Sequence, residues 1–180
     1  MGTGTAVATG DVLTAIKVNL KLESVAATEL DSPLANSIVF HVNAFQYPAP
    51  GTDWTPAKTG ATLAASKATK YMWLPLNFLK VGDIITTYNL VGDVVEAAAA
   101  TLDCKLVQVN KADPITTTDV TNGAITQVTA DGNFDSTANC NDTTVATDKQ
   151  YTLEILGTTG VGDSIIVMGA EVTITRILKA

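Results

Sequence analysis

Protein chemistry needs side chains that move protons, attack, hold a metal or stack on a ligand, and this chain is sparing with all of them. It has one histidine, His41. Histidine acid–base catalysis would rest on that residue alone, and a histidine metal site would need other ligand types. His41 lies in "SIVFHVN", where its neighbours Phe40 and Val42 offer no partner. Paired carboxylates can cleave glycosidic bonds. Glu23, Glu96, Glu154 and Glu171, however, sit on separate segments, and no spacing selects two of them. The signature phrases of a nucleophile elbow, a zinc-protease helix, a phosphate loop and a dinucleotide fold are absent. We therefore expect no catalytic residue, no cofactor and no enzyme.

Two constellations remain. In "DGNFDSTANCND", Asp131, Asn133 and Asp135 occupy alternate positions, followed by Thr137, Asn139 and Asp142. Oxygens recurring in this way suit calcium. Ser136 nevertheless stands where an EF-hand loop needs glycine, and Asp142 where it needs glutamate; an Asx-rich surface loop explains the same letters. The second constellation is aromatic. Trp54 and Trp73, with Tyr47, Tyr71 and Phe45, are either a sugar-stacking platform or packing groups. In the packing reading "FQYPAPGTDW" is pinned to the body, and Trp73 lies in the core or at a subunit contact. Trp54 and Trp73 are thus interface candidates. So are Val7 and Val12 in "MGTGTAVATGDV", residues 1–12, which read as a flexible tail or as an arm adding a strand to a neighbouring subunit.

The elements that must position these residues are strands. "AIKVNLKLE" alternates Ile16, Val18, Leu20 and Leu22 against Lys17, Asn19, Lys21 and Glu23, and "NSIVFHVNAF" alternates likewise. "TLDCKLVQVN" alternates through Leu102, Cys104 and Leu106, then shifts phase to Val107 and Val109, as a β-bulge would make it. "QYTLEIL" and "SIIVMGAEVTITRIL" close the chain in the same style. Helix signals are thin: "VVEAAAATL", "SPLANSI", "GATLAASKATK" and Ala124 to Val128 could each hold a turn or two. The segments "QYPAPGTDWTPAKTGATLAASK", "NKADPITTTDVTNG" and "TADGNFDSTANCNDTTVATDK" read as long crossings between sheets. The expected fold is all-β: a two-sheet antiparallel sandwich, jelly-roll-like, with eight or nine strands over residues 13–180.

Composition agrees and excludes other classes. Of the 180 residues, 46% are apolar and 16% charged, enough for a sizeable core. A formal charge of −7 with thinly spread basic residues leaves no footprint for nucleic acid. No apolar run is long enough to span a membrane, and the first residues lack the pattern of a signal peptide. Cys104 and Cys140 do not make a disulfide framework, and the choice between a bond and two buried thiols stays open. Asn141-Asp142-Thr143 is a glycosylation sequon, read as accidental without an export signal.

The triplet Val-Gly-Asp recurs at residues 81–83, 91–93 and 161–163, each time before β-branched residues. Glycine supplies turn freedom and aspartate bonds nearby amides, so each copy should mark the start of a strand. "YMWLPLNFLKVGD" introduces an ordered series: "TLDCKLVQVN", "GAITQVTADGN", "TVATDKQYTLEILGTT" and "SIIVMGAEVTI". Over about residues 70 to 177 this order resembles a broad group of small proteins encoded by tailed bacteriophages and recovered from viral metagenomes. The resemblance implies a virion structural protein with a jelly-roll-like sandwich, most simply a capsid decoration subunit made in the host cytoplasm. It implies self-association as a trimer or larger assembly, and contact with other virion proteins. Alternatives are a filament subunit joined by donor-strand exchange, or a carbohydrate-binding module.

Overall fold

The computed structural model describes residues 34–44, 53–95, 99–112, 114–120 and 125–178. The expected arm over residues 1–12, with Val7 and Val12, lies outside them, as do the strand expected near residues 15–23 and the aromatics Phe45 and Tyr47. Among the described residues there are ten strands: β1 (Leu34–Asn43), β2 (Trp54–Ala57), β3 (Gly60–Leu63), β4 (Lys67–Pro75), β5 (Ile84–Val95), β6 (Thr101–Asn110), β7 (Thr117–Asp119), β8 (Gly132–Thr144), β9 (Lys149–Thr159) and β10 (Ser164–Leu178), more than the eight or nine expected because short pairings such as β2, β3 and β7 form within the crossings. They form two antiparallel sheets. One runs β2-β3-β10-β5-β8, with β1 also pairing β10; the other runs β4-β9-β6-β7. Counted from β3 as first to β10 as eighth, the orders are first-eighth-third-sixth and second-seventh-fourth-fifth. This is the jelly-roll arrangement, in which every consecutive pair from β3 onward except β6–β7 hops between sheets.

Period-two alternation builds the core between the sheets. Leu63, Ile85, Leu90, Ile165, Val167, Val172 and Ile174 from the first sheet are fully buried, as are Leu74, Leu102, Leu106, Leu153 and Ile155 from the second. Tyr88 crosses the gap, and its hydroxyl donates to the Cys104 carbonyl at 2.6 Å, so the buried phenol keeps a partner. Cys104 and Cys140 are free and buried. Burial pushes the Cys140 thiol up to about 12, and it pushes Cys104 up as well. Both thiols are therefore poor nucleophiles at neutral pH.

Two of the three Val-Gly-Asp triplets do what was expected. Gly82 and Gly162 take φ of 90° and 86°, and β5 and β10 start one residue after the aspartate. Each aspartate caps its own turn: the Lys80 amide donates to Asp83 Oδ2 at 2.8 Å, and the Gly160 amide to Asp163 Oδ2 at 2.9 Å. The Ala99 amide also reaches Asp163 Oδ2. Asp83 carries in addition a bidentate pair with Arg176, both bonds at 2.7 Å. Burial pushes the Asp83 carboxyl up, but the Arg176 guanidinium and the Lys80 amide outweigh it and hold the group below its usual value. Arg176 also lies over the Phe40 ring, which stacks on Phe78 at 4.2 Å, so the same arginine helps fasten β1.

The third triplet corrects the expectation. Residues 91–93 lie inside β5 and start nothing. A Cβ on Gly92 would run into the Ile166 carbonyl and the Phe134 ring, so glycine is there for close packing rather than for a turn. The β6 bulge is likewise absent. Pairing with β9 runs unbroken from Thr101 to Asn110, and Val107 is buried on the outer side of the sheet. The phase change in the sequence reflects cover on both faces, not an extra residue. Register shifts fall instead in β4, β5, β8 and β10. The polar crossings also found partners: "WTPAKTGATL" holds the β2–β3 hairpin, "PITTTD" ends in β7, and "GNFDSTANCNDTT" is the edge strand β8. No helix forms at Val128, which bridges Leu102.

Candidate functional site

Strand β4 is an edge of the second sheet, and its alternation divides "YMWLP" cleanly. Met72 and Leu74 face the core at 2% and 0% exposure, whereas Tyr71 and Trp73 stand on the outer face at 43% and 46%. The two rings are close to parallel, with centroids 5.9 Å apart and planes 10° from each other. Two large aromatics side by side on one strand face thus leave apolar surface in contact with solvent.

Cross-strand register sets a polar partner beside Trp73 and an apolar one beside Tyr71. Trp73 pairs with Glu154 on β9, which pairs with Lys105 on β6. The Trp73 indole N–H donates to Glu154 Oε2 at 3.2 Å, and Lys105 Nζ lies 3.0 Å from Glu154 Oε1. The Glu154 carboxylate raises the Lys105 ammonium above its ordinary value, more than partial burial lowers it; Asp119 and Tyr71 add to the rise. One carboxylate thus holds both the tryptophan ring and the lysine. In the neighbouring row Tyr71 pairs with Leu156, and Leu156 with Asp103. Gln127 donates to Asp103 Oδ2 at 2.6 Å. Rings, amide, carboxylates and ammonium therefore share one solvent face. What they can do together is bind, by stacking and hydrogen bonding.

The other residues singled out from sequence are scattered. Trp54 is 2% exposed on β2, packed in the core, with its indole N–H directed at the Lys70 carbonyl at 3.4 Å. It is no platform and no interface residue. Asp131 precedes β8, and Asn133 and Asp135 lie on that strand's exposed face. An extended strand spaces alternate residues about 7 Å apart, so their oxygens do not wrap a cation as a loop would. Among the described residues no group of three acidic, histidine or cysteine side chains could hold a metal. His41 faces Glu171 across 3.4 Å on the outer side of the first sheet, far exposed. Glu171 and Glu154 lie in different sheets, so these two carboxylates do not form a catalytic pair. The sequence singles out Tyr71 and Trp73 but does not connect them with Glu154, Lys105, Asp103 or Gln127. No local signal links residues 154 and 105 to residue 73; the strand register does, and Gln127 joins the face through its bond to Asp103.

No family model matches the chain, and no curated protein does. Among solved structures, the chain is similar to the N-terminal CBM22-1–GH10 modules of Clostridium thermocellum endo-1,4-β-D-xylanase 10B, complexed with xylohexaose. Identity is 19% over 80% of this chain, with a TM-score of 0.43. The match spans only 28% of that protein's chain. A second is the C-terminal family 22 carbohydrate-binding module of the same enzyme, at 14% identity over 77% of this chain and 92% of that one, with a TM-score of 0.38.

Proposed function

We propose that the chain is a non-enzymatic binding module that docks a neutral saccharide on the outer face of the β4-β9-β6-β7 sheet. The observation that carries the proposal is the exposed, near-parallel Tyr71–Trp73 pair, with the Trp73 indole held by Glu154. Sugar rings present apolar C–H faces to aromatic rings and hydroxyls to the polar groups beside them. The charge pattern favours such a ligand over a protein subunit. A protein lid would have to desolvate Lys105, Glu154, Asp103 and Asp119, and charged groups are depleted at interface cores for that reason. Hydroxyls can instead hydrogen-bond all four. Three carboxylates against one lysine also disfavour polyanions such as uronates or sulfated glycans. The test is a panel of neutral and acidic glycans against the wild type and Trp73→Ala. Binding of neutral glycans, lost in the variant, is expected; preference for polyanions, or binding indifferent to Trp73, would overturn the proposal.

A second reading keeps the resemblance to tailed-phage proteins: a virion subunit, most simply a capsid decoration protein, that works by association. The jelly roll is found in capsid and lectin domains alike, so fold-level analogy supports both readings equally. The observation that favours this one is on the other sheet. Val39 and Met168, each about half exposed, stand on its outer side beside a shallow groove of about 220 Å³ lined in part by His41, Val91 and Glu171. A stable contact would bury about 1,200 Å² or more. Light scattering after size exclusion should then give a trimer or larger assembly; a clean monomer at high concentration counts against this reading.

A further inference from the structure

The outer face of the second sheet does not end at Trp73. One step along β4, Pro75 pairs with Thr152, and Thr152 pairs with Val107. One step further along β9, Gln150 faces Val109. There the face opens into a cavity of about 380 Å³. That size falls within the range of about 300–1,000 Å³ usual for small-molecule sites.

The lining has two characters. Pro75, Leu79 and Val109 offer carbon; Asn77, Gln150 and Lys111 offer donors and acceptors at the rim. Lys111 Nζ donates to the Thr147 carbonyl at 3.1 Å, and the neighbouring Lys149 is held by Asp148 and by Asn110 Oδ1, both at 3.1 Å. An ammonium carries three donors, so these bonds exhaust neither lysine. An apolar wall with a polar rim matches a pyranose ring, which is apolar on its faces and hydroxylated at its edge. Position matters as much as chemistry. Strands advance about 3.3 Å per residue, so Tyr71, Trp73 and Pro75 lie along one line in steps of about 7 Å that points at the cavity.

We infer that this cavity is the end subsite of a saccharide groove. An extended oligosaccharide stacks on Tyr71 and Trp73, crosses Pro75 and places its terminal ring against Leu79 and Val109, with its hydroxyls on Gln150, Asn77 and Lys111. The inference rests on the proposed saccharide platform and adds the direction, the minimum length and the end-on mode of binding. Only a ligand longer than two rings spans from the aromatic pair to the cavity.

The experiment is calorimetric titration of the full chain with cello- and xylo-oligosaccharides from the disaccharide to the hexasaccharide. It is run on the wild type and on Gln150→Trp, which closes the cavity from an exposed position. Amide NMR shifts of Leu76, Leu79 and Val109 are followed in parallel. Affinity should rise about tenfold or more, equivalent to about 1.4 kcal/mol, between the disaccharide and the tetrasaccharide. Gln150→Trp should abolish that rise, and the cavity amides should shift with the longer ligands only. Binding that depends on Trp73 but not on length or on Gln150, with silent cavity amides, overturns the end subsite and leaves the platform standing. Absence of any binding to the wild type removes both.

Discussion

The two tryptophans, nineteen positions apart on β2 and β4, have opposite fates. Trp54 starts β2 and is swallowed by the core, where Gly157 on the facing sheet clears room for its ring; a Cβ there would sit 2.8 Å from Trp54 Cζ2 and from Leu63 Cδ2. Trp73 lies on an edge strand with nearly half its surface in water, and its N–H is spent on a side chain, Glu154, rather than on backbone. Asp53, just before Trp54, is clamped by Lys67 and Lys70 at 2.8 and 2.7 Å and secures the start of β2 to β4. Tryptophan's large apolar body and single donor suit it to either duty. The environment of the ring, not its identity, decides whether a tryptophan is core or surface.

The contrast can be broken from its strong end first. Trp54→Ala should cost about 3–5 kcal/mol in urea unfolding, the usual range for emptying a buried aromatic site. A loss near zero would mean the ring is not core. Gly157→Ala should cost about 1–3 kcal/mol by overpacking the notch that receives Trp54. Combined with Trp54→Phe, its penalty should shrink, because the smaller ring vacates the contact; a double-mutant cycle measures the coupling. Trp73→Ala should change stability by only about 0.5 kcal/mol, as expected of a surface position. Glycan affinity, in contrast, should fall about tenfold or more, the scale of a truncated contact aromatic. The smallest effect is one of pH. The hydrogen bonds from Lys67 and Lys70 hold the Asp53 carboxyl down at about 2, below its ordinary 3.8. A lowered carboxyl stabilises above its unfolded value, and that contribution is lost as pH falls through the folded one. Asp53→Asn should therefore flatten the stability curve slightly between about pH 4 and pH 2 and leave its shape unchanged nearer neutrality; identical acid limbs in the two proteins would refute the clamp.

Much of the architecture was legible in the letters, and the misses are instructive. The strands β1, β6, β9 and β10 follow from alternation that each segment carries in itself. The turns at Gly82 and Gly162 follow from local chemistry, because an aspartate three residues after an amide can cap it within the same loop. Residues 91–93 carry the same letters yet make no turn. There the deciding groups, Ile166 and Phe134, come from β10 and β8, far along the chain. Strand β8 looks like a polar loop in sequence because its solvent face is Asn133, Asp135, Thr137 and Asn139; Phe134, Ala138 and Cys140 on its inner face are too sparse a signal without the neighbours that the sheet supplies. Val107 looked like a bulge for a related reason, since cover on the outer face of β6 mimics a change of phase.

What the sequence determined by itself was the kind of material: strands with a period of two, turns fixed by Gly-Asp, a core of aliphatic residues and an acidic surface. Each of these is settled within a few residues by backbone sterics and burial. Which ring is buried, which carboxylate stands beside Trp73 and where the groove opens were decided only when β4, β9 and β6 paired. Hydrogen bonds between strands join residues about eighty positions apart on the chain, and no local rule fixes the register in which they meet.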